Sequence, residues 1–444
     1  MHECHHYVIL YSDQEITGAE LMNFIEHLNK RGLVHNSTPH IESYLQDSLK
    51  KGETPRAYVG FDPSGSSLQI GNLLAILLLR RAQLYGIQPI ILLGGATGLV
   101  GDPSGKKVER TLLDKEIAEG NTLRIKKQLE RFIDFSPGPV QPIFVNNLYW
   151  FSQLNFVEFL RDVGKHITIN YMIAKDSVKL RMETGISYAE FGYMLMQGYD
   201  FLHLFEAFGC RIQLGGSDQW GNITTGTELI RRKHATEGHA ISSPLLTDSS
   251  GNKLGKTESG GIYLDPEVTT PFKFYQYWLQ REDSEVPKLL NALTLLDEKS
   301  INDALEWIQN EPEKRAAQKL LAETITTMVH GTDTYHAVEK ATQVLFSKDP
   351  SVLNQLPQNV LHELSKEVPS SIFEQPISII DFLVKSNLCT SKSEARRHIQ
   401  GSGVSINRVK LTDDKYILDI NSFEEKQFLL VGIGKSQLHL LMKK

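Results

Sequence analysis

RAYVGFDPSGSSLQIGNLLAILLLRRAQLYGIQPIILLGG, residues 56–95, is the stretch whose reading decides the fold. RAYVGFD sets Val59 between Tyr58 and Phe61 and stops at Pro63, as a strand does. NLLAILLLRRAQLYG is too long for a strand and closes on Gly86, as a helix does. QPIILLGG is a short apolar run ended by glycines, the pattern of a strand buried on both faces. Strand, loop, helix and strand in this order make a βαβ unit. The loop PSGSSLQIG then lies where such a unit turns backbone amides toward a ligand.

Outward from this unit the alternation continues. A helix is expected after Leu112, a strand at PIFVNN, helices at SQLNFVEFLRDVG and AEFGYMLMQGYDFLHLFEAFG, and a strand at RIQLGG. GAELMNFIEHLNKRG, upstream, reads as a helix stopping at Gly32. The order predicts an α/β fold with a doubly wound parallel sheet over residues 19–247, after an extension at 1–18. From 248 to 345 a Lys-Leu-Gly-Lys-Thr loop leads into an α-helical region, with FKFYQYWLQ, VPKLLNALTLL and EKRAAQKLLAETITTMVHG. Residues 346–375 hold three prolines among polar residues and read as a linker to a last module at 376–444.

The 444 residues suffice for about two to three domains, and 41% hydrophobic with 23% charged residues is a soluble globular composition. Apolar runs such as LLAILLL are too short to span a bilayer. The first residues carry Glu3, Asp13 and Glu15 and no long apolar run, which argues against a secretory signal or a transit peptide, so a cytoplasmic location is expected. Cys4, Cys210 and Cys389 show no CxxC spacing, and neither a disulfide framework nor a thiolate zinc site is implied. His2, Cys4, His5 and His6 offer metal donors, but a frayed terminus is the simpler reading, and no metal site is assigned. The net charge of -6 argues against a general nucleic-acid binder, yet residues 376–444 carry 11 Lys/Arg against 7 Asp/Glu. The basic surplus lies at the C-terminal end.

Four constellations can carry chemistry. In GFDPSGSSLQIGN, Gly60, Gly65 and Gly71 let backbone approach a ligand, Ser64 offers a hydroxyl, and Gln69 and Asn72 offer amide donors. An ordinary glycine and proline loop accounts for that stretch equally well. GGATGLVGDPSGKKVER combines Asp102, Lys106 and Arg110, but only three residues separate Gly101 from Gly105 and Lys107 stands where a P-loop has Ser or Thr. A P-loop is disfavoured, while cations that neutralise a leaving pyrophosphate fit. GNKLGKTESGG sets Lys253 and Lys256 in a glycine-rich loop able to close over phosphates, or in a plain solvated hairpin tip. Finally, Tyr193, Gln197 and Asp200 fall at i, i+4 and i+7 on an otherwise apolar helix, a polar stripe that needs partners from a ligand or from a core network.

Together, YVGFDPSGSSLQIGN, GGATGLVGDPSGKKVER, FLRDVGKH, GISYAEFGYMLMQGYDFLHLF, QLGGSDQWGNI and KLGKTESG resemble the bacterial-type tyrosyl-tRNA synthetases in order and spacing, over nearly all of the chain after about residue 18. The resemblance implies a Rossmann-like class I catalytic domain, a homodimer joined through SQLNFVEFLRDVGKHITINYM, and activation of L-tyrosine by ATP with Mg²⁺ before transfer to the terminal adenosine of tRNA(Tyr). No tightly bound cofactor is implied. By that resemblance Tyr58 and Asp200 hold the substrate phenol, Asp102, Tyr193 and Gln197 its ammonium, and Gln219 lies near its carboxylate. Gly60, Asp62, Ser64, Gly71 and Asp218 serve the ATP site, and Lys106, Arg110, Lys253, Lys256 and Thr257 the pyrophosphate side. The Tyr58 and Asp200 pair argues against the tryptophanyl relative, whose indole needs no such groups.

The chain departs from the family at both ends of its His-Ile-Gly-His signature, where it has Gln69 and Asn72. Glutamine keeps an N–H donor and loses only the option of positive charge, so slower activation rather than its loss is expected. The alternative is a non-catalytic RNA-binding protein on a synthetase frame. TSKSEARRHIQGSGVSINRVKL resembles the RNA-binding module shared with a small-subunit ribosomal protein, a small α+β domain in which Lys392, Arg396 and Arg397 suit tRNA phosphates. There Arg408 follows Asn407 where the family usually has glycine.

Overall fold

The computed structural model describes residues 24–104, 113–182, 185–257, 260–347, 350–353, 356–423, 426–434 and 437–444. The chain divides into two units, 1–269 with 280–329, and 270–279 with 330–444.

The first unit is built on a six-stranded sheet in the order β1-β6-β5-β2-β3-β4. Its strands are β1 (Asn36–Ser37), β2 (Arg56–Phe61), β3 (Gln88–Leu93), β4 (Ile143–Asn146), β5 (Ile212–Gly216) and β6 (His239–Ser243). All pairs are parallel except β1 with β6. The register sets Tyr58 beside Ile90 on one side and Gln213 on the other. Helices Ile70–Leu84, Lys115–Leu129, Tyr188–Phe208 and Trp220–His234 complete a doubly wound α/β layer structure, as the sequence predicts. Tyr58, Ile90, Leu92, Trp150, Phe201, Leu202, Leu204, Cys210 and Ile230 form one buried cluster of its core.

The Tyr188–Phe208 helix starts on a reciprocal cap. Glu190 N–H donates to Ser187 Oγ (3.2 Å), and Ser187 N–H to the Glu190 carboxylate (3.4 Å). The same carboxylate takes two guanidinium bonds from Arg181, the shorter 2.8 Å, and both side chains are buried. Helices Val286–Leu293, Glu298–Asn310 and Ala316–His330 follow in the chain. Buried Arg81 donates to the carbonyls of Asn291 (3.1 Å), Ala292 (3.2 Å) and Thr294 (2.6 Å), closing the end of the first of these onto the sheet layer.

The second unit joins the helix Pro271–Leu279 to Thr332–Phe346 and Gln358–Glu367. Gln276 donates to Thr342 (2.7 Å), Tyr275 packs on Tyr335, and Thr270 bonds Glu367. The helical stretch 248–345 is therefore shared between the two units rather than forming one region. The expected linker at 346–375 also differs: it holds the Gln358–Glu367 helix and strand β9 (Ser370–Ile372). Val360, Leu361 and Leu364 are buried, and that apolar stripe rather than the flanking prolines decides the structure.

Strand β9 edges a five-stranded sheet, β12-β11-β14-β15-β9, with β11 (Val404–Ile406), β12 (Val409–Leu411), β14 (Phe428–Ile433) and β15 (Gln437–Met442); β10 (Ile377–Ser378) pairs with β13 (Ile417–Leu418). Helices Ile379–Lys385 and Lys392–Gln400 share with it a core that includes Ile379, Leu383, Ala395, Ile399, Val404 and Val431. This is the expected small α+β module. Among the described residues no helix is long and apolar enough to cross a membrane. The terminal histidines His2, His5 and His6 lie outside the described residues.

Candidate active site

In a doubly wound sheet ligands sit beyond the carboxyl ends of the strands, in the crevice where the strand order reverses. Here the reversal flanks β2, whose chain runs first to β3 on one side and later to β5 on the other. Asp62 follows β2, Gly94 to Thr97 follow β3, Asn147 follows β4, and Asp218 and Gln219 follow β5. These residues belong to one end of the sheet.

Tyr58 is buried on β2, its ring 5.3 Å from that of Phe201, and its hydroxyl has no hydrogen-bond partner among the described residues. Burial lifts its pKa well above the ordinary phenol value, and the nearby Asp200 adds to the shift. Asp200 is itself buried and accepts from Asn147 Nδ2 (3.0 Å) and Trp150 Nε1 (2.9 Å). Burial pushes its carboxyl up to about 8 although both donors favour the ionised form. An unpartnered hydroxyl beside such a carboxyl is a polar surface awaiting a ligand.

A second group centres on Asp62. Tyr193 Oη donates to its Oδ2 (2.7 Å) and Thr97 Oγ1 to its Oδ1 (2.7 Å). Asn147 Nδ2 also donates to Thr97 Oγ1 (3.0 Å), while Asn147 Oδ1 accepts from the Ala96 N–H (2.7 Å). Asn147 therefore joins the ends of β3 and β4 to Asp200. Gly94 makes room for this: a Cβ there would fall 2.0 Å from Asp62 Oδ1 and 2.5 Å from Thr97 Oγ1.

A third group centres on Asn222. Its Nδ2 lies 2.9 Å from Gln197 Oε1, 3.3 Å from Gln219 Oε1, 3.3 Å from Ser104 Oγ and 3.5 Å from Asp102 Oδ1. Gln219 Nε2 donates to Asp102 Oδ2 (2.7 Å), and Asp102 Oδ1 accepts from the Ser104 N–H (2.9 Å). The reach between Gln197 and Asn222 depends on close helix packing. A Cβ on Gly226 would strike Phe201 at 2.7 Å, and one on Gly198 would press Thr225 at 3.0 Å.

Of the expected ammonium set, Tyr193 donates to Asp62 and lies close enough to Asp102 for that carboxylate to add to the rise that burial and Asp62 give its pKa, while Asp102 and Gln197 both meet Asn222. Thr97, Ser104, Asn147, Trp150 and Asn222 join the candidate site through hydrogen bonds that the sequence does not foreshadow. Asn147 follows a strand that the sequence does reveal, so a search of strand ends finds it; Trp150 gives no comparable signal.

Gln69 is the N-cap residue of the Ile70–Leu84 helix, and its N–H donates to Asn72 Oδ1 (2.9 Å). That bond turns the amide nitrogen of Asn72 into the end left to donate. Gly60, Ser64, Gln69 and Gly71 are exposed at this mouth. The loop bearing Lys253 is folded rather than open: β7 (Lys256–Thr257) pairs with β8 (Gly260–Gly261). Its return strand is tied to the signature by Ile70 N–H to Ile262 O (3.1 Å) and Leu264 N–H to Leu68 O (2.8 Å). Lys253 Nζ contacts Asp218 Oδ2 at 3.0 Å. Lys106 and Arg110 lie outside the described residues, as do the side chains of Lys256 and Thr257.

In the second unit Arg396 and Arg397 are exposed on the Lys392–Gln400 helix, and Lys392 at its start contacts Asp381 at 2.7 Å.

Comparison with known proteins gives consistent matches. Residues 50–347 match the family model described as tRNA synthetases class I (W and Y), and residues 361–441 that of the tyrosine–tRNA ligase SYY-like C-terminal domain. The tyrosine–tRNA ligase of Bacteroides fragilis is 43% identical over 435 residues, covering 95% of this chain and 100% of that protein. That of Bacillus velezensis is 45% identical over 427 residues, again covering 95% and 100%. Among solved structures, a C-terminally truncated mitochondrial tyrosyl-tRNA synthetase of Aspergillus nidulans aligns with a TM-score of 0.64 at 29% identity, covering 74% of this chain and 98% of that one.

Proposed function

Because the chain belongs to the class I tRNA synthetases, and within them to the tyrosine–tRNA ligases, we infer how its own residues divide the work of that reaction. A carboxylate oxygen of L-tyrosine attacks the α-phosphorus of ATP, forming the acyl–phosphate bond of tyrosyl-adenylate and expelling pyrophosphate. The tyrosyl group then passes to the 3′-terminal adenosine hydroxyl of tRNA(Tyr), and AMP leaves. No protein nucleophile is needed, so the site acts by positioning the reactants and by stabilising charge that grows on the leaving group.

The observation that carries the assignment is the partnerless Tyr58 hydroxyl beside Asp200, buried at the strand switch point. A substrate phenol supplies the missing partner. Tyrosyl-tRNA synthetases are themselves the standing example of a site whose buried polar groups reject phenylalanine. Asp102, Tyr193 and Gln197 surround the ammonium, with Gln219 near the carboxylate. Gly60, Asp62, Ser64, Gly71 and Asp218 take the adenosine. Gln69, Asn72, Lys106, Arg110, Lys253, Lys256 and Thr257 face the phosphates of ATP, which arrives with Mg²⁺ as the substrate complex. Lys392, Arg396 and Arg397 contact tRNA phosphates. The named activity of the relatives weighs against the alternative of RNA binding alone.

Tyrosine-dependent ATP–pyrophosphate exchange tests the reading, and its absence from the purified protein would refute it. Gln69→His is expected to raise the exchange rate about fivefold, because a charged donor to phosphate is roughly twice as strong as a neutral one. An unchanged or lower rate would show that position 69 does not contact the reacting phosphates.

A homodimer joined through residues 152–172 is supported by the exposure of Phe156, Val157, Leu160 and Ile169 there. The expected mass in solution at micromolar concentration is twice the 50.1 kDa of one chain. A single-chain mass would overturn this placement.

A further inference from the structure

The β11–β12 hairpin turns through Asn407 and Arg408, which both have positive φ, 48° and 68°. A two-residue turn of this kind favours Asn followed by Gly, and an arginine at its second position is strained. The arginine is not idle. Its Nη2 donates to the carbonyls of Val344 (2.8 Å) and Leu345 (2.6 Å) in the last turn of the Thr332–Phe346 helix. A helix leaves its final carbonyls unbonded and its C-terminal end partly negative, so one guanidinium there satisfies both needs. Arg81 does the same in the first unit, on the carbonyls of Asn291, Ala292 and Thr294.

The turn is also fixed from the other side. Asn407 N–H donates to Leu430 O (2.8 Å), and Leu430 N–H returns a bond to Asn407 Oδ1 (2.8 Å). The hairpin follows the Lys392–Gln400 helix after three residues, and Gly403 N–H bonds His398 O (2.7 Å). Ala395 and Ile399 of that helix share a core with Val404 of β11. Basic helix and hairpin thus move as one piece, and Arg408 ties that piece to the Thr332–Phe346 helix.

We propose that Arg408 is a positioning residue for tRNA charging: by capping the Thr332–Phe346 helix it fixes the orientation of the basic Lys392–Gln400 helix within its unit, and so sets the affinity for tRNA without affecting amino-acid activation. The inference rests on the tRNA-binding role assigned above to Lys392, Arg396 and Arg397. Arg408→Gly removes the guanidinium while relieving the turn, so the hairpin itself keeps its preferred geometry. Loss of the fixed orientation leaves only a fraction of molecules ready to bind, and KM for tRNA(Tyr) in aminoacylation is expected to rise about tenfold with kcat and pyrophosphate exchange within about twofold. Arg408→Lys is expected to recover part of the affinity, since an ammonium can still reach one carbonyl.

An unchanged KM for tRNA in Arg408→Gly overturns the proposal. So does a parallel fall of exchange and charging, which marks a general loss of stability. Filter binding of tRNA(Tyr) to the natural protein and to Arg408→Gly separates this inference from the functional reading. If the natural protein lacks exchange, the functional reading fails, while an unchanged Kd between the two proteins still overturns the role of Arg408.

Discussion

Replacing Asp200 by alanine is expected to lower kcat/KM for tyrosine in pyrophosphate exchange about a thousandfold, since the buried phenol of the substrate is left without a partner and the donors that held the carboxyl are free to misalign the pocket. The two donors are Asn147 Nδ2 and Trp150 Nε1, and neither has solvent to turn to. The substrate phenol loses its carboxyl partner in the same change. A loss of less than about tenfold would place the phenol elsewhere.

Asp200 also predicts a pH dependence with a definite sign. Its folded pKa, about 8, lies above the ordinary carboxyl value, so between these limits the folded protein holds a proton that the unfolded chain releases. Its contribution to stability is therefore present in acid and is lost as pH rises from about 4 to about 8. Asp200→Asn cannot titrate. The stability of the natural protein should fall relative to this variant across that window, by at most about 1.4 kcal/mol per pH unit. Parallel curves from pH-dependent denaturant unfolding would show that the carboxyl is already ionised in the folded state.

Glu190→Ala is expected to destabilise the first unit by about 3–5 kcal/mol, the usual result of removing one partner from a buried ion pair. The carboxylate serves Arg181 through two bonds and caps the Tyr188–Phe208 helix through Ser187. Tyr193 stands three residues further along, so tyrosine binding should weaken in the same variant. Glu190→Gln keeps the shape and the cap and should lose less. A midpoint shift equivalent to under about 1 kcal/mol for Glu190→Ala would show that the pair contributes no more than a surface contact.

The architecture was legible where the periodicity was strong. Strands β2, β3, β4 and β5 and the helices between them stand where the apolar runs place them, because period and length distinguish the two structures. Strand β6, HAISS, escaped because its burial comes from position in the sheet rather than from an apolar composition. The Gln358–Glu367 helix escaped because Pro357 and Pro369 on its flanks suggested a linker, although Val360, Leu361 and Leu364 already marked one face. Candidate site residues stand out in the sequence where they belong to loops after strands or to a polar stripe on an apolar helix. Their hydrogen-bond partners do not: Asn147 meets Asp200 across 53 positions and Asn222 meets Asp102 across 120, distances that no local pattern encodes. Even a residue that the polar stripe singles out can have an unforeseen neighbour, as Tyr193 does in Asp62.

The ties from Leu68 and Ile70 to the return strand of the Lys256–Gly261 hairpin run entirely through main-chain atoms. Their geometry holds whatever side chain occupies position 69, provided that Gly261 stays small, for a Cβ there would sit 2.9 Å from Gln69 Nε2. The scaffold that brings two distant segments together is thereby insulated from the chemistry each displays. Such insulation makes position 69 evolvable: under the role proposed for Gln69, an exchange between histidine and glutamine is expected to change the rate of activation and leave the assembly that hosts it undisturbed.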